Sequence, residues 1–365
     1  MTLRLRRILL AGLASLLAAE GVARYLAHRE NARVLEEALA EPAPIPADGV
    51  VRLGHLLQLD QNDRVVYVAR PGLDGVLYAG APLSTNGHGF RGREVAHAKP
   101  PGVVRIVGLG DSVMFGQGVA DDETYLAILE AELNARHPER RWEAVNTALP
   151  GYNTVMEVEV LKTRGLAFEP DLVVIGFVSN DLGLPSFVRV EQDVLDPGRS
   201  FLADLVLGRW RPGGRRRGPH VPPGLGFAPS PRDDSGAPLS ADEFLETVPE
   251  RYRPLLGVAP CRRALAELAD LAARHGFAVV AVTSQDDPVT DGLLAEAAAL
   301  GFRTVSARPA VEEYVRAHGI ERYRGSALTV SEEDAHPSAL HHRLFAEALY
   351  GHLRESGWIE AQLGD

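Results

Sequence analysis

The sequence predicts an α/β fold in which three layers, α/β/α, are built on an open parallel β-sheet. Between residues 101 and 358, apolar runs rich in β-branched residues alternate with segments of helical periodicity. The run at 172–178, LVVIGFV, is continuously apolar, as expected for a strand covered on both faces. Strands that alternate with helices imply a parallel sheet, whose carboxyl-end loops gather at one edge.

The first 30 residues predict a signal-anchor. Three arginines within the first seven residues precede an apolar run at 8–19. Extended through Leu26, this run reaches the roughly 20 residues that a transmembrane helix needs, and Glu20 can pair with Arg24 on one helix face. We therefore expect a membrane helix with its basic end in the cytoplasm and the remaining domain exported to the periplasmic or extracytoplasmic side. An amphipathic N-terminal helix of a soluble protein is the alternative.

Residues 31–100 predict a helical spacer followed by a small β-rich extension. The helix ends at a proline-rich segment. Two short strands, at 65–72 and 75–80, are bounded by Pro-Gly and Asp-Gly turn residues. The loop at 86–92, NGHGFRG, is interpreted as a tight surface turn with Phe90 packed inside it. A loop bordering a substrate cleft is the alternative.

The predicted sheet domain spans residues 101–358. Its first strand, at 103–108, is followed by a glycine-bearing loop that extends to residue 118. The remaining elements are predicted, in chain order, as a helix at 123–137, a strand at 143–146, a helix at 155–165, a strand at 172–178, a helix at 260–275, a strand at 277–284, a helix at 293–300, a strand at 302–306, a helix at 310–318 and a last helix at 339–355.

An insertion at about 186–255 interrupts this alternation. It is rich in proline, glycine and arginine and has little apolar surface to bury, so we expect it to be partly disordered. Its run of three arginines at 215–217 is interpreted as a solvated loop. A short helix around Phe244 is expected to cap the cleft.

Composition and motifs argue against several functional classes. The net charge of −11 disfavours a nucleic-acid-binding protein, which usually presents a basic face. The chain lacks a phosphate-binding loop, and the adjacent His341 and His342 point apart on a helix and make a poor metal pair. We therefore expect no cofactor and no metal. The single cysteine, Cys261, cannot form an internal disulfide and is interpreted as a packing residue.

Polar or glycine-bearing loops follow three of the predicted strands. Ser112 follows the first strand, Gly151 the second and Asn180 the third, and His336 lies just before the last helix. Because the carboxyl ends of parallel strands share one edge of a sheet, we expect the three loops to be neighbours. A serine nucleophile needs a base and an oxyanion hole, and these loops carry residue types suited to both.

In this order, these segments resemble the SGNH/GDSL hydrolase family, also described as GDSL-type esterases and lipases. The resemblance covers about residues 100–185 and 255–355. It implies a flavodoxin-like parallel sheet, and the basic, apolar N-terminus looks like a membrane-anchored bacterial branch of the family. The matching segments are Gly-Asp-Ser at 110–112, Asn-Thr-Ala-Leu-Pro-Gly at 146–151, Ser-Asn-Asp at 179–181 and Asp-Ala-His-Pro at 334–337.

The resemblance implies a catalytic role for each matched residue. Ser112 would be the nucleophile and His336 its general base. The oxyanion hole would combine the backbone N–H groups of Ser112 and Gly151 with the side-chain amide of Asn180.

The acid that orients His336 is open between two neighbours. The usual family pattern has an aspartate three residues before the histidine, where this chain has Glu333. We favour Asp334, two residues before His336, with Glu333 as the alternative acid.

The resulting functional prediction is a serine esterase that cleaves a small-molecule or polysaccharide ester through an acyl-enzyme. One alternative is an O-acetyltransferase or deacetylase that uses the same residues on a cell-envelope polysaccharide. Another is a catalytically inactive envelope-binding module.

Overall fold

The structure of the chain is a computed structural model. The three arginines at 215–217 and much of the insertion lie outside the residues that it describes. The described residues are 3–40, 44–189, 194–195, 197–207, 224–229, 231–232 and 239–364.

The N-terminus forms one continuous helix, α1 (Leu3–Ala40). Its segment Arg6–Glu36 is long and apolar enough to cross a membrane, with a mean hydropathy of 1.4 and 6% of the residues buried, although a signal sequence would meet the same criteria. Glu20 and Arg24 form the expected ion pair, at 2.8 Å. The helix therefore has an exposed apolar surface with a charged pair embedded in it, because Val22, Tyr25 and Leu26 are exposed as well.

The extension that follows α1 is β-rich and shares the core of the sheet domain. Its buried apolar side chains, Tyr67 and Leu83 among them, belong to the same hydrophobic cluster as the central strands. The elements are β1 (Val50–Val51), α2 (Leu53–Leu56), β2 (Leu57–Leu59), β3 (Tyr67–Ala69), β4 (Val76–Tyr78) and β5 (Ala81–Leu83). Strands β2 and β3 pair antiparallel, whereas β4 pairs with β5 and, in parallel, with β1.

The rest of the chain contains the central strands and their helices, together with two small strands and two short helices in the described part of the insertion. The elements are β6 (Val103–Leu109), α3 (Ser112–Phe115), α4 (Tyr125–Arg136), β7 (Arg141–Asn146), α5 (Thr154–Thr163), β8 (Leu172–Gly176), β9 (Phe187–Arg189), α6 (Phe201–Val206), β10 (Leu225–Phe227), α7 (Ala241–Thr247), α8 (Val258–His275), β11 (Ala278–Thr283), α9 (Pro288–Ala299), β12 (Arg303–Ser306), α10 (Arg308–Ala317), α11 (Ala339–Glu355) and α12 (Trp358–Leu363).

The central sheet has five parallel strands in the spatial order β7-β6-β8-β11-β12. This order confirms the predicted three-layer, flavodoxin-like fold, because the chain moves to one side of β6 with β7 and to the other side with β8. Every residue of β6 and β8 is buried. Helices α4, α10 and α11 form one packed group and α5, α8 and α9 the other. Ligands bind open α/β sheets where the strand order reverses, here between β6 and β8.

The structure differs from the prediction at several elements, including α3, α9, α12 and α7. Residues expected to form a loop after β6 contain the short helix α3, because the Asp111 side chain accepts the Val113 N–H at 2.8 Å and caps it. Helix α9 begins at Pro288 rather than 293, since Asp287 caps it. Helix α12 lies beyond the predicted last helix. Helix α7 is present, but its Phe244 packs on the hydrophobic core and does not line the cleft.

Candidate active site

The carboxyl end of β6 presents Ser112 as the first residue of α3. The chain can turn this tightly because residue 110 is glycine: a Cβ there would stand 2.6 Å from the Cβ of Met114. The hydroxyl of Ser112 lies 3.1 Å from Oδ2 of Asp111. The serine is therefore held by a capped helical turn at the edge of the sheet where the strand order reverses.

His336 meets Ser112 from a loop more than 200 residues later in the chain. Its Nε2 lies 2.9 Å from the Oγ of Ser112, and its Nδ1 lies 2.5 Å from Oδ1 of Asp334. The same Asp334 oxygen accepts the backbone N–H of His336 at 3.0 Å. These contacts assign the proton of the neutral imidazole to Nδ1, so that Nε2 can accept the Ser112 hydroxyl proton.

The structure distinguishes the two candidate acids. Asp334 contacts His336, whereas the Glu333 carboxylate is exposed and accepts the Ser331 hydroxyl at 3.1 Å. Burial tends to raise the pKa of the Asp334 carboxyl, but hydrogen bonds from Gln117 and His336 outweigh it and lower the pKa below its ordinary value. A charged carboxylate beside Nδ1 is the arrangement that stabilises an imidazolium.

Ser112, His336 and Asn180 line one cleft of about 1290 Å³. Gly151 is not among the lining residues. It has a φ of +81°, and a Cβ there would stand 2.0 Å from the Oγ of Ser186, so only glycine fits beneath that side chain. The structure thus brings two of the three expected oxyanion donors to the cleft and places the third under Ser186.

Gln117 and Tyr78 lie near His336, and the sequence analysis identified neither of them. Gln117 donates from Nε2 to Oδ2 of Asp334 at 3.0 Å, and its Oε1 accepts the hydroxyl of Tyr78 at 2.8 Å. The available signal was the Gly116-Gln117-Gly118 triplet, since two glycines around one polar residue indicate a sharp turn that presents its side chain. Nothing in the sequence pointed to Tyr78.

Arg91 was also missed. The loop at 86–92 does not border the cleft. Instead, its arginine is buried against the segment after Ser112. The guanidinium donates to the carbonyls of Phe115 at 2.7 Å and Val119 at 2.5 Å, and also to that of Gly116. It pairs with Asp121 at 2.9 Å. Arg91 therefore ties down the backbone that follows the serine.

Substituting Arg91 with methionine is expected to lower the free energy of unfolding by about 3–5 kcal/mol, because the Asp121 carboxylate and several carbonyls lose their donor. Urea denaturation followed by circular dichroism measures this. Arg93→Met is the matched control. Arg93 forms an exposed pair with Glu130 and an exposed hydrogen bond to the carbonyl of Glu94, so its loss should cost about 1 kcal/mol or less. Equal losses for the two variants would contradict the assigned role.

Three buried carboxyl groups lie at or near the site: Asp111, which lines the cleft, Glu157 and Asp181. Asp181 accepts the N–H of Val178 at 2.9 Å and so braces its own loop. Within the described part of the chain, neither carboxyl oxygen of Glu157 has a hydrogen-bond partner. Burial raises the pKa of Glu157 well above its ordinary value, and the charges of Asp181 and Asp111 raise it further.

Glu157→Gln is expected to stabilise the protein increasingly as the pH rises. A raised folded-state pKa contributes stability fully below the ordinary pKa of 4.5, and that contribution is lost as the pH rises through the raised value. The variant does not titrate and should exceed the wild type by about 1 kcal/mol or more at pH 8. Thermal unfolding at pH 5 and pH 8 measures this difference.

Glu159→Gln is the control for this prediction. Burial opposes ionisation of Glu159, but hydrogen bonds from Asn62 and Lys162 outweigh it and lower the pKa, so this variant should lose stability at pH 8. A Glu157→Gln variant whose advantage is the same at both pH values would contradict the buried-acid interpretation.

The histidines and the cysteine considered as possible metal ligands, His341, His342 and Cys261, are buried side chains. In the described ranges, no group of three or more His, Cys, Asp or Glu residues could hold a metal ion. His341 contacts the Tyr323 hydroxyl at 2.9 Å, and His342 accepts the N–H of Tyr125 at 3.3 Å. Burial lowers the pKa of His341 to about 4 and that of His342 to about 3. Burial also raises the pKa of the Cys261 thiol to about 12.

Comparisons with known sequences and solved structures give only distant likenesses. Neither protein-family models nor curated protein sequences give a match to the sequence. Among solved structures, an acetyl xylan esterase, AlAXEase, is 12% identical over 68% of this chain and 100% of its own, with a TM-score of 0.41. A catalytic mutant of an acetylxylan esterase from Geobacillus stearothermophilus is 15% identical over 70% of this chain and 94% of its own, also with a TM-score of 0.41.

A lipase/acylhydrolase from Enterococcus faecalis is 13% identical over 69% of this chain and 96% of its own, with a TM-score of 0.39. At identities and TM-scores this low, these likenesses carry no weight for what the chain does. What the chain can do chemically follows from its own side chains. A serine, a histidine and an aspartate are hydrogen-bonded in series at the edge of a parallel sheet.

Proposed function

We propose that the chain is a serine esterase of the SGNH/GDSL hydrolase family. The observation that supports this most directly is the row of contacts from the Ser112 hydroxyl to His336 at 2.9 Å and from His336 to Asp334 at 2.5 Å. A nucleophile, a base within hydrogen-bond reach and a carboxylate that orients the base are the components of a catalytic triad.

In the proposed reaction, the Ser112 oxygen attacks the ester carbonyl while Nε2 of His336 takes the hydroxyl proton. The tetrahedral intermediate then breaks its bond to the alcohol oxygen, and His336 returns the proton to that leaving group. Water repeats these steps on the acyl-serine and releases the carboxylic acid. Asp334 keeps its charge throughout and stabilises the imidazolium that forms in each half-reaction.

The negative oxygen of the intermediate would be held by the backbone N–H of Ser112 and the side-chain amide of Asn180. The backbone N–H of Gly151 is the proposed third donor, although Gly151 does not line the cleft in this structure. Ser112 and Asn180 line the same cleft. The N–H of Leu149, two residues before Gly151, bonds to the carbonyl of Gly110 at 3.2 Å, which ties the Gly151 loop to the end of β6. Each such donor typically contributes about 3 kcal/mol of transition-state stabilisation.

We also propose that α1 anchors the enzyme in a membrane. Large apolar side chains along its N-terminal half, from Ile8 to Leu17, are exposed. Three residues after Leu17, Glu20 accepts the N–H groups of Phe201 and Leu202 at 3.0 and 2.9 Å, so α6 is fastened to α1 at this point. Retention of the full chain in the membrane pellet after alkaline carbonate extraction supports the anchor, and release into the supernatant contradicts it.

Labelling of the full-length protein with a fluorophosphonate probe, in mild detergent, tests the esterase proposal. An activated serine should react with the probe, and the same preparation should hydrolyse a short aryl acetate. Lack of both reactions in folded protein would overturn the proposal and favour an inactive envelope-binding module. Product analysis with an added polysaccharide separates hydrolysis from acyl transfer to a sugar hydroxyl.

A further inference from the structure

The side chain of Gln117 joins the acid of the candidate triad to the N-terminal extension. Its Nε2 lies 3.0 Å from Oδ2 of Asp334 and 3.1 Å from Nδ1 of His336, and its Oε1 lies 2.8 Å from the hydroxyl of Tyr78. Oδ1 of Asp334 is already used by the ring and the backbone of His336. Each oxygen of the carboxylate therefore has its own donor, and the group is held against rotation.

The chemistry of the neighbours determines which way the amide faces. An ionised carboxylate only accepts hydrogen bonds, so the NH₂ group of Gln117 has to face Asp334 and its oxygen has to face Tyr78. Burial raises the pKa of the Tyr78 hydroxyl, which therefore stays protonated and can donate. The reverse orientation would place Oε1 of Gln117 against the Asp334 carboxylate, although both groups can only accept hydrogen bonds.

The backbone at Gln117 is fixed as well. Its N–H donates to the carbonyl of Ser112 at 3.1 Å, and Gly116 and Gly118 on either side have φ angles of +84° and +81°. A Cβ at Gly118 would stand 2.7 Å from the methyl groups of Val330. The turn that carries Gln117 is thus pinned both to the serine and to the loop that leads to His336.

We propose that Gln117 is a positioning residue that holds the Asp334 carboxylate in line with His336, and that Tyr78 of β4 keeps the Gln117 amide in its donating orientation. This inference rests on the proposed function, since it gives the triad acid a support. It also makes the β-rich extension part of the active-site scaffold.

The first test compares two substitutions of similar shape at position 117. Gln117→Glu preserves the shape but places a second carboxylate against Asp334, whereas Gln117→Met removes the donor without adding charge. We expect kcat for aryl acetate hydrolysis to fall about 10–100-fold in the Met variant and further in the Glu variant, with little change in KM. A purely structural role predicts that the isosteric Glu variant retains activity best.

The second test is a double-mutant cycle. Tyr78→Phe alone should lower kcat about 3–10-fold. In the Gln117→Met background, the same substitution should lower kcat no further, because there is no amide left for Tyr78 to orient. Tyr350→Phe is the matched control: its hydroxyl contacts His137 at 3.1 Å, and its loss should leave kcat unchanged. Additive losses in the double variant would overturn the role assigned to Tyr78.

A third measurement does not depend on activity. The proton between Nδ1 of His336 and Asp334 should give a far-downfield resonance in the ¹H NMR spectrum of the folded wild type, shifted or lost in Gln117→Glu. If the wild type hydrolyses no ester but shows this resonance, and Gln117→Glu shifts or abolishes it, the proposed function fails and the positioning inference stands. An unchanged resonance, or a kcat for Gln117→Glu within about twofold of wild type, would overturn the inference.

Discussion

Replacing Ser112 with alanine is expected to lower kcat/KM for aryl acetate hydrolysis by at least about 10⁴-fold and to abolish labelling by a fluorophosphonate. The hydroxyl lies 2.9 Å from Nε2 of His336, which makes it the group placed to form the acyl-enzyme. The residual rate would come from substrate binding and the oxyanion donors alone. Steady-state kinetics and in-gel fluorescence of the labelled protein measure the two effects.

The control for this prediction is Ser356→Ala at the end of α11, where the serine hydroxyl only contacts the carbonyl of Leu353 at 3.2 Å. It should retain wild-type kinetics and labelling. Ser112→Ala should also unfold at nearly the wild-type temperature, so that inactivity cannot be attributed to misfolding. Retained hydrolysis in folded Ser112→Ala protein would refute the nucleophile assignment.

Asp334→Asn is expected to lower kcat by about 10³- to 10⁴-fold while Glu333→Gln lowers it by less than about threefold. An amide at 334 can present its NH₂ group to Nδ1 and stabilise the tautomer in which Nδ1 is the acceptor. Nε2 then carries the proton and cannot accept one from Ser112. The Glu333 carboxylate contacts Ser331 and not His336, so its charge contributes little to the ring. Kinetics of both purified variants measure the difference.

The adjacent pair makes this comparison well controlled, because both substitutions convert a carboxylate to an amide within one loop. A larger loss for Glu333→Gln than for Asp334→Asn would transfer the orienting role to Glu333. Equal and small losses would show that His336 functions without a charged partner. Both outcomes would contradict the arrangement proposed here.

Most of the sheet domain could be predicted because its signals are local. The apolar run that forms β8 and the β-branched residues of β6 identify buried strands without reference to any other part of the chain. Two of the differences occurred where one side chain overrides the pattern. Asp111 turns an expected loop into the capped helix α3, and Asp287 starts α9 earlier than the apolar periodicity indicates.

The candidate site was only partly predictable, because several of its contacts join residues that are distant in the sequence. Ser112 and Asn180 follow buried strands, so the parallel topology alone places them at one sheet edge. The path of the loop around His336 selects Asp334 over Glu333, and the two are adjacent in sequence and similar in chemistry. Gln117 and Asp334 are 217 positions apart, and Tyr78 and Gln117 are 39 apart. No periodicity or spacing connects such residues.

By itself, the sequence determined the order of strands and helices, the parallel sheet edge and the presence there of a serine, an asparagine and a late histidine. Hydrophobic periodicity and turn residues encode these features within short segments. Only the tertiary structure decided which carboxylate faces His336, placed Gly151 beneath Ser186, and brought Arg91, Gln117 and Tyr78 to the support of the site. Those outcomes depend on hydrogen bonds between distant segments, whose geometry exists only after the sheet and its covering helices have packed.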